Sequence, residues 1–155
     1  MSGGNIVSVI STRSNRVITT IRVRGEAGGI AITPNGRRVY VTDEHYSKPY
    51  NGVFNNVSVI STQSNRVIAR VPVSNTPGGV AITPNGKRVY VTEYGGYRIY
   101  VINTETNRLI NTLTISAGEG PQGIAITRTH LSRSSVKSRK KVIRSLKPLL
   151  QRRKS

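Results

Sequence analysis

The chain repeats itself with a period of fifty residues, and that period constrains the fold more than any other feature. Val7-Ser8-Val9-Ile10-Ser11-Thr12 returns as Val57-Ser58-Val59-Ile60-Ser61-Thr62. Gly29-Ile30-Ala31-Ile32-Thr33-Pro34-Asn35-Gly36 returns as Gly79-Val80-Ala81-Ile82-Thr83-Pro84-Asn85-Gly86. Arg38-Val39-Tyr40-Val41-Thr42 returns as Arg88-Val89-Tyr90-Val91-Thr92. A weaker third copy holds Tyr100-Val101-Ile102-Asn103-Thr104, Asn107-Arg108-Leu109-Ile110 and Gly123-Ile124-Ala125-Ile126-Thr127, at a spacing of 42 to 44 residues. The extra length of the longer unit falls in one loop, residues 43–55.

Each unit divides into four short strand signals, a to d, separated by turn chemistry. Strand a is Gly-Ile-Ala-Ile-Thr. Pro-Asn-Gly then turns the chain, with Pro fixing φ and Gly accepting the sterically demanding position. Strand b is Arg-Val-Tyr-Val-Thr. Strand c is Val-Ser-Val-Ile-Ser, whose alternation suits a sheet with two unlike faces. Further turns follow at Thr12–Asn15, Thr62–Asn65 and Thr104–Asn107, and lead into strand d. One Phe, one Met and no Trp leave Val, Ile and Tyr to build the core. Four antiparallel strands per 40–50 residues predict an all-β fold, a β-propeller of four-stranded blades. A sandwich would use similar strands but has no need of near-identical copies.

These copies resemble the YVTN β-propeller repeats of surface-layer and YncE-like proteins. The match lies at Tyr40-Val41-Thr42 and Tyr90-Val91-Thr92, at both Val-Ser-Val-Ile runs and at both Thr-Pro-Asn-Gly turns. The sequence departs from the family pattern where its Asn becomes Asp43 and Glu93, and where the Asp of its third strand becomes Ser11, Ser61 and Asn103. The resemblance covers residues 5–127 and implies an extracytoplasmic or cell-surface setting. It says little about activity, because propellers host many unrelated functions.

Residues 5–127 run c-d, a-b-c-d, a-b-c-d, a, which is eleven strands and about two and a half blades. Rings need at least about four blades, so this is an incomplete propeller, and its terminal blades expose faces that invite association. After Thr127 the pattern requires Pro-Asn-Gly and a b strand, but Arg128-Thr129-His130-Leu131 and a basic run follow. A truncated or frame-shifted piece of a larger propeller is one reading, and a short protein that completes its ring by oligomerising is the other.

Alternating strands place the a–b and c–d turns on one rim and the b–c and d–a loops on the opposite rim. The b–c loops hold His45, Tyr46, Tyr50 and Phe54 in one blade and Tyr94 and Tyr97 in the next. Clustered aromatics make this rim the candidate protein-binding surface, since aromatic anchors dominate many interfaces; the competing reading is that they pack the loop onto its own blade. Asp43, Glu44, His45 and Glu93 suggest a cation site, but no pair has an established ligand spacing, and a solvated surface cluster is the expectation. No cofactor is expected.

The sequence has no Gly-x-Ser-x-Gly, Walker or His-Glu-x-x-His motif. The resemblance brings in lactonase-like propellers, whose central channels carry acids and His; strands a here carry none. An inactive remnant of such an enzyme is therefore the enzymatic alternative to a non-catalytic interaction or cell-surface structural module. Asn56-Val57-Ser58 is a formal glycosylation sequon. There are no cysteines, so disulfides and thiolate metal sites are excluded. No apolar run is long enough to cross a bilayer as a helix, and the N-terminus shows no export signal.

Charge separates the chain into two parts. Residues 1–127 hold 13 Lys and Arg and all 6 acids, a net +7, whereas residues 128–155 hold 11 Lys and Arg and no acid. Ser134-Ser135 and the apolar spacing of Val136, Ile143, Leu146 and Leu150 suggest a partly helical tail, with disorder as the alternative. Arg139, Lys140, Lys141, Arg144, Arg152, Arg153 and Lys154 are candidate contacts to a polyanion, either nucleic acid or anionic lipid.

Overall fold

A computed structural model describes residues 5–44, 55–74, 76–115 and 120–128. Ten strands occur among them: β1 (Ile6–Ser11), β2 (Arg16–Arg22), β3 (Glu26–Ile32), β4 (Arg38–Glu44), β5 (Asn55–Ser61), β6 (Arg66–Val73), β7 (Pro77–Ile82), β8 (Arg88–Glu93), β9 (Arg98–Asn103) and β10 (Arg108–Thr114). They form a two-stranded sheet β1-β2 and two four-stranded antiparallel sheets, β3-β4-β5-β6 and β7-β8-β9-β10. The fold is an incomplete β-propeller. The innermost strands β3 and β7 lie side by side, while the outermost β6 and β10 meet only marginally, so the sheets fan apart.

Local chemistry sets each corner. Thr33 Oγ1 donates to Asn35 Oδ1 at 2.8 Å, and the Arg37 amide donates to the same oxygen at 3.1 Å. Thr83 and Asn85 repeat the arrangement at 2.7 Å. The c–d turns each end on an Asn in the left-handed region, with φ of 52° at Asn15, Asn65 and Asn107, a conformation that Asn tolerates better than most residues. Thr62 Oγ1 donates to Gly36 O at 2.8 Å, which joins the a–b and c–d turns on one rim.

Period-2 alternation sends residues of b and c to opposite faces of each sheet. Tyr40, Val57, Val59, Val71 and Val73 face onward to the next sheet, where they bury against Val89, Val91, Tyr100 and Ile102. Val41 and Ile60 face back and pack with Ile21 and Val23 of the first hairpin, together with Val7 and Val9. The core is thus a stack of inter-blade layers. Close approach of the inner strands requires glycine: a Cβ on Gly29 would stand 2.6 Å from Gly78 O, and one on Gly79 would stand 2.8 Å from Gln122 O.

One feature differs from the expected layout. The eleventh strand, 123–127, is in position but belongs to no ladder: Gly79 N donates to Gln122 O at 3.2 Å, and Ile124 and Ile126 pack on Tyr90, Ile99 and Val101. Among the described residues no b strand follows it. The first blade is half built, as the strand count predicts: among the described residues β1 pairs with β2 alone, whereas its equivalents β5 and β9 are paired on both sides. The basic tail beyond Arg128 lies outside the described residues.

Candidate functional site

The b–c and d–a connections do share a rim. Thr76, in the connection between the two complete sheets, donates its hydroxyl to Glu44 Oε1 at 3.0 Å, and its carbonyl accepts the Tyr94 amide at 2.8 Å. Tyr94 and Tyr97 project from this rim, each 57% exposed. A Cβ on Gly120 would stand 2.8 Å from Gly95 N, so the d–a segment seats directly on the turn that carries both tyrosines. His45, Tyr46, Tyr50 and Phe54, the other four candidates on this rim, lie outside the described residues, as do Arg139, Lys140, Lys141, Arg144, Arg152, Arg153 and Lys154 of the tail.

Asp43 and Glu93 are not solvated surface acids. They are 1% and 2% exposed. Each sits on the backward face of its sheet, in phase with Val39 and Val41 or with Val89 and Val91, so burial follows from strand parity. Ser58 Oγ donates to Asp43 Oδ2 at 2.6 Å, while Asp43 Oδ1 is buried without a partner. Tyr100 donates to Glu93 Oε1 at 3.4 Å. Ser58 and Tyr100 occupy the same position in strand c, so an acid–hydroxyl pair recurs at one place in both blades. Burial raises the Asp43 carboxyl above its ordinary range, against the Ser58 hydrogen bond, a backbone hydrogen bond from Arg24 and the positive charges of Arg70 and Arg24.

The two acids serve their own sheets. Among the described residues no group of three His, Asp or Glu is placed to hold a metal ion. On the opposite rim a shallow groove of about 630 Å³ is lined by Arg37, Arg38, Ser61, Gln63 and Ile68. Its lining contains no acid or histidine to act as a general base. No helix among the described residues is long and apolar enough to cross a membrane.

The second kind of surface is apolar and was legible only as a consequence of the strand count. Ile30 and Ile32 of β3 are 58% and 57% exposed, although their equivalents Val80 and Ile82 are half-buried against the inter-blade core. Ile6 and Ile10 of β1 are exposed as well. Ile30 and Ile32 face the first hairpin's side of the second sheet, whereas Ile6 and Ile10 alternate with Val7 and Val9 and so face away from that sheet.

Comparison with known proteins supports this shape. No protein-family model and no curated protein matches the chain. Among solved structures, 280 chains match. One is a chain of Kuenenia stuttgartiensis hydrazine synthase, similar with a TM-score of 0.66 and 26% identity over 77% of this chain. The alignment spans 32% of that chain's length. The class defined by fold and comparison is a propeller sector, and a shape shared so widely does not by itself specify chemistry.

Proposed function

We propose that the chain is a non-catalytic protein-interaction module, one sector of a larger propeller assembly, working through the open side of its first blade. The observation that carries this reading is the exposure of Ile30 and Ile32 beside the unpaired edge of β1. Apolar surface next to a free strand edge is a ready site for association. The YVTN resemblance adds the expectation of a cell-surface structural role. The hydrazine synthase chain is longer than the matched sector.

Sedimentation velocity over a concentration series tests the reading. The wild type should associate reversibly, and Ile30→Lys/Ile32→Lys should remain monomeric while keeping its β-sheet circular dichroism. Identical sedimentation of the two proteins at every concentration would contradict it.

A second reading draws on the charge of residues 128–155, which carry 11 Lys and Arg and no acid. It makes this segment a polyanion binder. Retention on heparin should fall steeply with salt and vanish on deletion of residues 129–155. Unchanged retention after the deletion would remove the reading.

A further inference from the structure

We infer that the shallow groove on the turn rim binds a small phosphate monoester with an apolar body. The inference is independent of the interaction reading, which concerns another face of the fold.

Two ties bring the groove's side chains together. Thr62 Oγ1 donates to Gly36 O at 2.8 Å, and the Thr62 amide donates to Arg37 O at 3.1 Å. They clamp the a–b turn onto the c–d turn, so Arg37 and Gln63, which flank the clamp, share one edge of the rim. Arg38 lies opposite Ser61 in the ladder between β4 and β5. Ile68 of β6, 49% exposed, completes the lining of the groove of about 630 Å³. A volume of that order suits a small ligand.

The donors match a phosphate group. The side chains of Arg37 and Gln63 make no hydrogen bond or ion pair among the described residues. The Arg38 guanidinium donates to Thr104 O of the next sheet, which holds this half-buried arginine in place and leaves most of its N–H donors over. Ser61 Oγ accepts the Ser64 amide at 3.4 Å and keeps its own proton to donate. No acid lines the groove. Glu105, which follows Thr104, is exposed and pairs with neither arginine. Two guanidinium groups together with a hydroxyl and a carboxamide offer more donors and charge than one carboxylate takes up. A phosphate monoester presents three acceptor oxygens and a charge of about −1.5 to −2 at neutral pH, and guanidinium forks suit it. Ile68 gives the organic part an apolar contact.

The neighbouring blade supplies an internal contrast. There Asn103 holds the position of Ser61, and Glu105 holds that of Gln63. Asn103 Oδ1 is taken up by its own turn, accepting the amides of Glu105 and Thr106 at 2.8 and 3.0 Å. A carboxylate at the Gln63 position repels a phosphate dianion, so the anion chemistry belongs to one blade and not to the repeat in general.

The probe is phenyl phosphate, titrated into the isotope-labelled full chain and followed by residue-resolved NMR. Saturable shifts are expected at the amides of Arg37, Arg38, Ser61, Gln63 and Ile68. Inorganic phosphate and benzoate should bind more weakly, and phenol should shift none of these amides. Arg37→Gln should weaken binding about 3- to 10-fold, between the values for an exposed ion pair and a charged hydrogen bond. Gln63→Glu, which copies the neighbouring blade, should weaken it at least as much. Both residues are exposed, so the spectrum of each free variant should otherwise match the wild type. The inference is overturned by shifts that do not saturate, by shifts confined to residues 128–155, or by affinity unchanged in both variants. Inorganic phosphate binding as tightly as phenyl phosphate would remove the apolar body, and benzoate binding as tightly would remove the phosphate; either result overturns the inference as stated.

Discussion

The phenolic hydroxyl of Tyr40 donates to Asn107 Oδ1 at 2.9 Å across the boundary between the two complete sheets. The residues are far apart in sequence, and the bond ties the second strand of one blade to the outer turn of the next. Burial raises the Tyr40 phenol above its ordinary value, against the effect of Arg38 beside it, so the group stays a neutral donor.

Tyr40→Phe should cost about 0.5–1.5 kcal/mol, the usual net value of a neutral hydrogen bond. Urea denaturation measures it. Asn107→Gly should reach a similar cost, and the double variant should cost less than the sum, because both changes delete one bond. Full additivity would mean that the pair does not interact.

Gly29→Ala and Gly79→Ala should each destabilise by about 1–3 kcal/mol, the range for overpacking a tight contact. In both cases the neighbour met by the new Cβ is backbone, which cannot swing aside. Gly36→Ala meets no atom within 4 Å, so its cost comes only from a φ of 70°. Thermal melts of the three variants separate steric cost from backbone cost.

Asp43 gives a pH prediction with a definite sign. Its carboxyl is raised in the folded state, so the native protein holds that proton more tightly than the unfolded chain. The associated stability is full below the unfolded value of about 3.8 and is lost as pH rises through the folded value. Asp43→Asn should therefore remove that loss and gain on the wild type as pH rises from the acid range towards neutral. Parallel profiles for the two proteins would show that the carboxyl is not raised.

Tyr94→Ala and Tyr97→Ala should leave stability within about 0.5 kcal/mol of wild type, as expected for exposed positions. A large loss in chemical denaturation would mean that these rings pack structurally.

The architecture was legible because it is written in copies. The fifty-residue spacing located β3 to β5 and β7 to β8, and the Thr-Pro-Asn-Gly and Thr-x-Ser-Asn signatures placed the turns. The same strand count predicted the half-built first blade. The environment of the acids was misjudged. Asp43 and Glu93 follow the b strand directly and look like loop residues, yet they keep the parity of Val41 and Val91 and so point inward. Parity with the preceding valines was the available signal. Pairing of residues 123–127 could not be read from its own Gly-Ile-Ala-Ile-Thr run, because a ladder depends on the neighbour as much as on the strand.

Amide hydrogen exchange followed by NMR tests the central claim most directly, since protection reports which strands lie between two neighbours. Inter-blade packing predicts that β4, β5, β8 and β9 are the slowest segments and exchange together, while the inward-edge amides of β1 exchange fast. Slow exchange along β1 in the isolated monomer, or fast exchange in β8 and β9, would contradict the open, layered fan.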